Sequence, residues 1–267
     1  MNDGQLKEFR AWFTSYVADF YGDDEFVNSN IKLKEDHSMR VCDEINYLAD
    51  SLDLEANKRR IAYVCALFHD LGRFRQFIKW RTYADCRSES HSELSLSILK
   101  QTGILAALEA EERFLIEQAI KYHGIKELPA DLDGDQLLFS KLIRDADKLD
   151  IFYVVIKYYG EYEKDPDGFR LEVELPNVPG YTDEFADAIL AGDRVDYHKL
   201  ANWNDMKLLQ LGWVYDVNFA VTLKRIREKG YLGQLLGFLT VDEKINQIKE
   251  KIFAYVDKRI DDRQDLG

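Results

Sequence analysis

Residues 65–74 read Cys65-Ala66-Leu67-Phe68-His69-Asp70-Leu71-Gly72-Arg73-Phe74, CALFHDLGRF. The run from Ile61 to Phe68, IAYVCALF, carries no charge, and then a histidine and an aspartate stand side by side at its end. Such a run seeks burial, and an ionisable pair buried with it needs partners, because an unpaired buried polar group is costly. The rest of the chain has to supply them.

Helical spacing dominates on both sides of this stretch. Val41, Ile45, Leu48 and Leu52 keep a helical stripe over 37–52, as do Ile116, Ala119, Ile120 and His123. Leu138, Leu142, Leu149, Phe152 and Ile156 predict a long helix over roughly 135–159. Pro166, Pro176 and Pro179 break the pattern. Between them Phe169, Leu171, Val173 and Leu175 alternate with charged residues, which predicts a short strand or ribbon. Helical spacing then returns from Trp203 onward. The fold class expected is all-α, with an irregular insertion and a C-terminal helical extension. The expected division is 1–24 (an N-terminal helix on the core), 25–160 (the main domain), 161–180 (a loop or β ribbon) and 181–267 (a C-terminal helical segment on that domain).

Composition narrows the function classes. The chain has 267 residues, 46% hydrophobic and 32% charged, in the range of globular proteins. A net charge of −13 repels polyanions, so neither a nucleic-acid scaffold nor an anionic membrane surface is an expected partner. No apolar stretch approaches the ~20 residues of a membrane span, and the first twenty residues do not read as a signal peptide. Cys42, Cys65 and Cys86 show no metal or redox spacing and read as reduced thiols, which favours a cytoplasmic location. The oligomeric state is left open.

Four of the five histidines sit at telling positions. His37 continues the stripe of Val41, and His69 follows Cys65 by four. His91 leads Leu94, Ser95 and Ile98, and His123 extends the stripe of Ile116. Each is expected to point inward from its own helix near a helix end, with Gly124 capping the helix of His123. One inward histidine is more often a hydrogen-bonded core residue than a ligand. Four of them, one beside an acid, form the ligand set of a divalent transition metal. The stretch LLFSKLIRDADKLDIFYVV offers further acids at Asp145, Asp147 and Asp150. Asp145 and Asp147 are about 200° apart on a helix, and periodicity alone does not choose between them. His198 lies among polar residues and reads as surface or structural, and Trp203, Trp213, Tyr215 and Phe219 have core-like spacing.

His37, His69-Asp70 and the later RDADKLD together resemble the H…HD…D signature of the HD-domain superfamily. KEDHSMRV, LFHDLGRFRQF, SHSELSLSIL and LIRDADKLDIFYV resemble its bacterial metal-dependent phosphohydrolase branch, over roughly residues 25–160. The resemblance implies a helical bundle and makes Asp147, the acid before Lys148, the final ligand. It leaves Asp145 a supporting acid. His91 and His123 match the extra histidines of two-metal members. The implied ligand set is His37, His69, Asp70, His91, His123 and Asp147. Asp70 is the expected catalytic centrepiece, bridging two divalent ions of Mn, Fe, Mg, Ni or Zn. Arg73, just past Gly72, which is expected to end its helix, and Lys148 are expected to bind the phosphoryl group. GIKELPADLDGD lacks the G-Y-P of cyclic dinucleotide phosphodiesterases, and HDLGRF lacks the acids that follow HD in alarmone hydrolases. The resemblance therefore implies hydrolysis of a small phosphate ester or nucleotide by a metal-activated water. An HD-type di-iron oxygenase and a non-catalytic metal or ligand sensor are the alternatives, and the six-ligand set argues against the sensor.

Overall fold

The computed structural model describes residues 1–166, 175–193 and 197–262. Its elements are helices, and no strand occurs among the described residues. The alternating stretch of Phe169, Leu171 and Val173 lies outside them, as does the side chain of His198. The chain divides into two compact units, Met1–Asp150 and Ile151–Gly267.

In the first unit, α1 (Asp3–Ala18) starts at a capping box, where the Asn2 side chain accepts from the Gln5 N–H and Gln5 returns the bond. Its Phe9, Trp12 and Phe13 pack edge-on against Phe68 and Phe74. The helix α2 (Glu25–Ser51), capped by Asp24, begins well before the expected residue 37, which places His37 in mid-helix rather than near an end. The apolar run forms α3 (Ala56–Phe68), and every residue from Ile61 to Phe68 is buried. There the helix stops, and α4 (Leu71–Trp80) starts two residues later. His69 and Asp70 therefore occupy the turn between two helices. After a short 3-10 turn at Asp85–Arg87 come α5 (His91–Thr102), α6 (Ala110–Tyr122) and α7 (Gly134–Lys164), the last five residues longer at its C-terminus than the periodicity predicts.

Two glycines act differently from the sequence reading. Gly72 does not end a helix; it lies in the first turn of α4, where an added Cβ would meet the His91 carbonyl oxygen at 2.3 Å. Only a residue without Cβ lets α4 approach α5 this closely. Gly124 is likewise no left-handed cap: the α6 cap is His123, in right-handed conformation, and a Cβ on Gly124 would sit 3.2 Å from His91 Cε1.

In the second unit the C-terminal part of α7 is followed by α8 (Asp183–Ala191), α9 (Trp203–Gly212), α10 (Ala220–Lys229), α11 (Tyr231–Gly237) and α12 (Glu243–Asp261). All of α9 except Asn204 is buried, and its Asp205 accepts from the N–H groups of Thr182 and Ala201. No helix among the described residues is long and apolar enough to cross a membrane.

Candidate metal centre

All six expected ligands lie in the first unit, and the fold brings their side chains to one place. Three overlapping triads have donor atoms within 4.8 Å of one another: His37, His69 and Asp70; His69, His123 and Asp147; and Asp70, His91 and His123. The two Asp70 oxygens face different pairs. Oδ2 lies 3.5 Å from His37 Nε2 and 3.7 Å from His69 Nε2. Oδ1 lies 3.7 Å from His91 Nε2 and 3.9 Å from His123 Nε2. Asp147 adds Oδ1 at 3.2 Å from His37 Nε2. Asp145, two residues earlier, is fully buried and belongs to none of the triads.

Every one of the four imidazoles is held by its other nitrogen. His37 Nδ1 donates to Asp150 Oδ2 at 2.6 Å, and His91 Nδ1 donates to Asp85 Oδ2 at 2.6 Å. His69 Nδ1 donates to the Ala66 carbonyl and His123 Nδ1 to the Ile120 carbonyl, both at 2.7 Å. Each acceptor is a carboxylate or a carbonyl, so Nδ1 carries the proton and Nε2 is turned toward the centre. This is how protein groups orient metal-ligating histidines.

The electrostatics follow. Burial pushes His91 and His123 down to about 4, and burial also lowers His69. These three are neutral at pH 7, and with Nδ1 engaged their Nε2 lone pairs are bare. His91 Nε2 and His123 Nε2 then face each other at 2.9 Å. Lone pair against lone pair is repulsive unless a cation lies between, so the donor set fits divalent metal. For His37, burial and the Lys34 ammonium push downward, but hydrogen bonds to Asp147 and Asp150 outweigh them and leave it raised. Burial would raise Asp70 and Asp147, yet both stay well below the usual carboxylate range: the Lys34 charge and His69 hold Asp70 down, and His37 holds Asp147 down.

A surrounding layer fixes these groups. Ser95 Oγ receives the Gly72 N–H at 2.8 Å and lies 2.9 Å from the carbonyls of His69 and His91, which ties the His69-Asp70 turn to the start of α5. Arg40 donates to both oxygens of Asp150. Arg144, buried on α7, donates to the carbonyls of His123 and Ile125 and so closes the end of α6. Lys34 Nζ stands 2.9 Å from Asp70 Oδ2, with its side chain 18% exposed.

The cations expected to bind phosphate are placed differently. Arg73 NH1 donates to Gln76 and Asp85, and its Nε lies 3.4 Å from Asp70 Oδ1. Its guanidinium thus holds the carboxylate that orients His91. Lys148 is half-buried next to Asp147. Lys34, Asp85 and Asp150 had no assigned role in the sequence reading. Lys34 was the findable one, since it lies three residues before His37 on the same helix face.

Fold and cluster together define an all-α protein with a buried His/Asp centre suited to divalent cations. Residues 35–151 match the family model described as HD domain, a span that contains all six candidate ligands and Asp150. The matched span, a little under half of the chain, is an HD domain, a domain generally found in metal-dependent phosphohydrolases. Searches of curated proteins and of solved structures found no match.

Proposed function

We propose that the protein is a metal-dependent phosphohydrolase that cleaves a small phosphate ester or nucleotide. The observation carrying this reading is the opposed, bare Nε2 atoms of His91 and His123 at 2.9 Å beside a shared Asp70 carboxylate, a donor set suited to a pair of cations. His37, His69, Asp70 and Asp147 would hold one ion, and Asp70, His91 and His123 the other. Divalent ions at that place supply a nucleophilic water at neutral pH and draw charge from the phosphoryl group.

The chain's own residues do the rest. Asp85 and Asp150 keep the imidazoles of His91 and His37 in the Nδ1–H tautomer, so that Nε2 stays available. Arg73 NH1 is engaged by Asp85 and Gln76 while its Nε is left without an acceptor, so Arg73 and Lys148 keep their expected phosphoryl role and Lys34 joins them as a third cation. Lys34, its ammonium 2.9 Å from Asp70 Oδ2 and its side chain partly exposed, would be the group beside the metal ligands that meets a phosphoryl oxygen.

The test is phosphate release. Protein loaded separately with Mn, Fe, Mg, Ni or Zn is offered a panel of phosphate esters and nucleotides under strict anaerobiosis. The proposal expects phosphate release at a rate indifferent to oxygen and abolished in Asp70→Asn. Substrate loss that requires oxygen and consumes it would replace hydrolysis with oxygenation.

A further inference from the structure

The second unit holds a buried ammonium that no carboxylate meets at ion-pair distance among the described residues. Lys207, on α9, is 8% exposed. Its Nζ donates to Asn204 Oδ1 at 3.0 Å and to the Phe238 carbonyl at 2.9 Å. The nitrogen also lies 5.3 Å from the centre of the Tyr159 ring. The Glu163 carboxylate acts on it only at longer range, with no hydrogen bond or ion pair, and an ammonium has three N–H groups to place. Two residues before Asp205 on the same helix, the Trp203 indole Nε1–H is buried with no hydrogen-bond acceptor. A buried ammonium without a contacting carboxylate and an unanswered buried donor are each costly, and natural folds seldom leave both together.

Lys207 and Trp203 line one cavity of about 330 Å³, a size in the range of small-molecule sites. Its walls include the solvent-exposed Glu163 and a cluster of rings: Tyr162 meets Trp203 edge-on with ring centres 4.6 Å apart, and Tyr159 and Phe238 stand 5.5 Å apart. Asn204 Nδ2 donates to the carbonyls of Val178 and Gly180 and so holds the 178–180 segment at the rim. Aromatic faces around one buried cation select a flat ring that carries a negative group.

We infer that this cavity is a second ligand site, separate from the metal centre, for a small aromatic or heteroaromatic anion. The anion's carboxylate or phosphate pairs with Lys207, and its ring lies against Tyr162 and Trp203. Such a ligand brings a negative group into direct contact with Lys207 without calling on the metal ligands. The site stands whether or not the metal centre hydrolyses phosphate esters.

The experiment uses the full chain after metal removal, with calorimetry and tryptophan fluorescence as readouts. The probes are benzoate and AMP, which have ring and charge, adenosine and benzyl alcohol, which have the ring alone, and inorganic phosphate, which has charge alone. The expected result is saturable binding of benzoate or AMP, the better of the two naming carboxylate or phosphate as the group recognised. The ring-only and charge-only probes should bind about tenfold or more weakly, and Lys207→Met should cost the same factor or more. Asp70→Asn, which disables the metal centre, should leave binding unchanged. If Lys207→Met does not fold, Tyr162→Ala at the half-buried wall replaces it with the same expectation. Absence of binding at millimolar benzoate and AMP overturns the inference. So does binding indifferent to both cavity variants, or binding lost in Asp70→Asn.

Discussion

Asp150 touches no other candidate ligand's metal-facing atom, yet it decides which nitrogen of His37 points at the centre. One oxygen accepts from His37 Nδ1 and both accept from Arg40. Asp150→Ala should weaken metal retention by roughly 10–100-fold while leaving the fold intact, as removal of such orienting carboxylates typically does. Competition against a chelating dye, with circular dichroism as the fold control, measures this. Lys34→Met should behave in the opposite way, keeping full metal content while kcat/KM for a phosphate ester falls about tenfold, the worth of one charge-assisted hydrogen bond. Metal loss in Lys34→Met would instead make the lysine a structural partner of Asp70. The candidate ligands were legible at this scale because few residue types bind transition metals and five histidines leave little room for ambiguity. Their orienting partners were not. Asp85 sits in RTYADCRSES, which has no periodicity, and Asp150 is one of three acids within six residues. A charged residue carries no local mark of the imidazole it will meet in space.

At the scale of elements, the site depends on how closely α4 approaches α5. The Gly72 backbone donates to Ser95 Oγ, and a Cβ there would lie 2.3 Å from the His91 carbonyl oxygen, which is backbone and cannot swing aside. Gly72→Ala should therefore cost about 1–3 kcal/mol, the usual range for overpacking, and should lower metal content by pushing His91 from its place. The control is Gly233→Ala inside α11, where an added Cβ meets nothing within 4 Å and the φ angle is ordinary. That change should be neutral or stabilise by up to about 1 kcal/mol through helix propensity. Thermal melts and elemental analysis of the two variants check both statements. Helix existence was plain from periodicity, and helix ends were not. No glycine or proline occurs from Ile61 to Leu71 to mark a stop, yet the helix ends at Phe68 and the chain turns at His69-Asp70. Gly72 and Gly124 read as helix stops because a glycine looks the same in sequence whether it frees a dihedral angle or makes room for a neighbour.

Over the whole molecule, the buried imidazoles set the acid response of the metal-free protein. His91 and His123 stand near 4 in the folded state against an ordinary value of 6.5. Between those values the unfolded chain binds more protons than the folded one, so stability is full above about pH 6.5 and is lost as pH falls toward 4. His37, which is raised, works in the other direction. Chelated protein should show a falling Tm across that window. The His91→Gln, His123→Gln double variant should show a shallower fall, and an equal slope in both would remove these groups from the account. The all-α class was legible across the chain because the 3.6-residue period recurs from α2 to α12. The cavity around Lys207 was not, since its aromatic residues have the spacing of any packed helix face.

The central claim is that the six side chains form a centre for two divalent ions, and stoichiometry tests it most directly. Protein purified anaerobically and loaded with Mn or Fe is passed through a desalting column and its metal content is determined by elemental analysis. Two ions per chain are expected, falling to about one in His91→Ala and in His123→Ala, and to less than one in Asp70→Ala. One ion per chain that neither histidine substitution changes, or none at all, would contradict the claim.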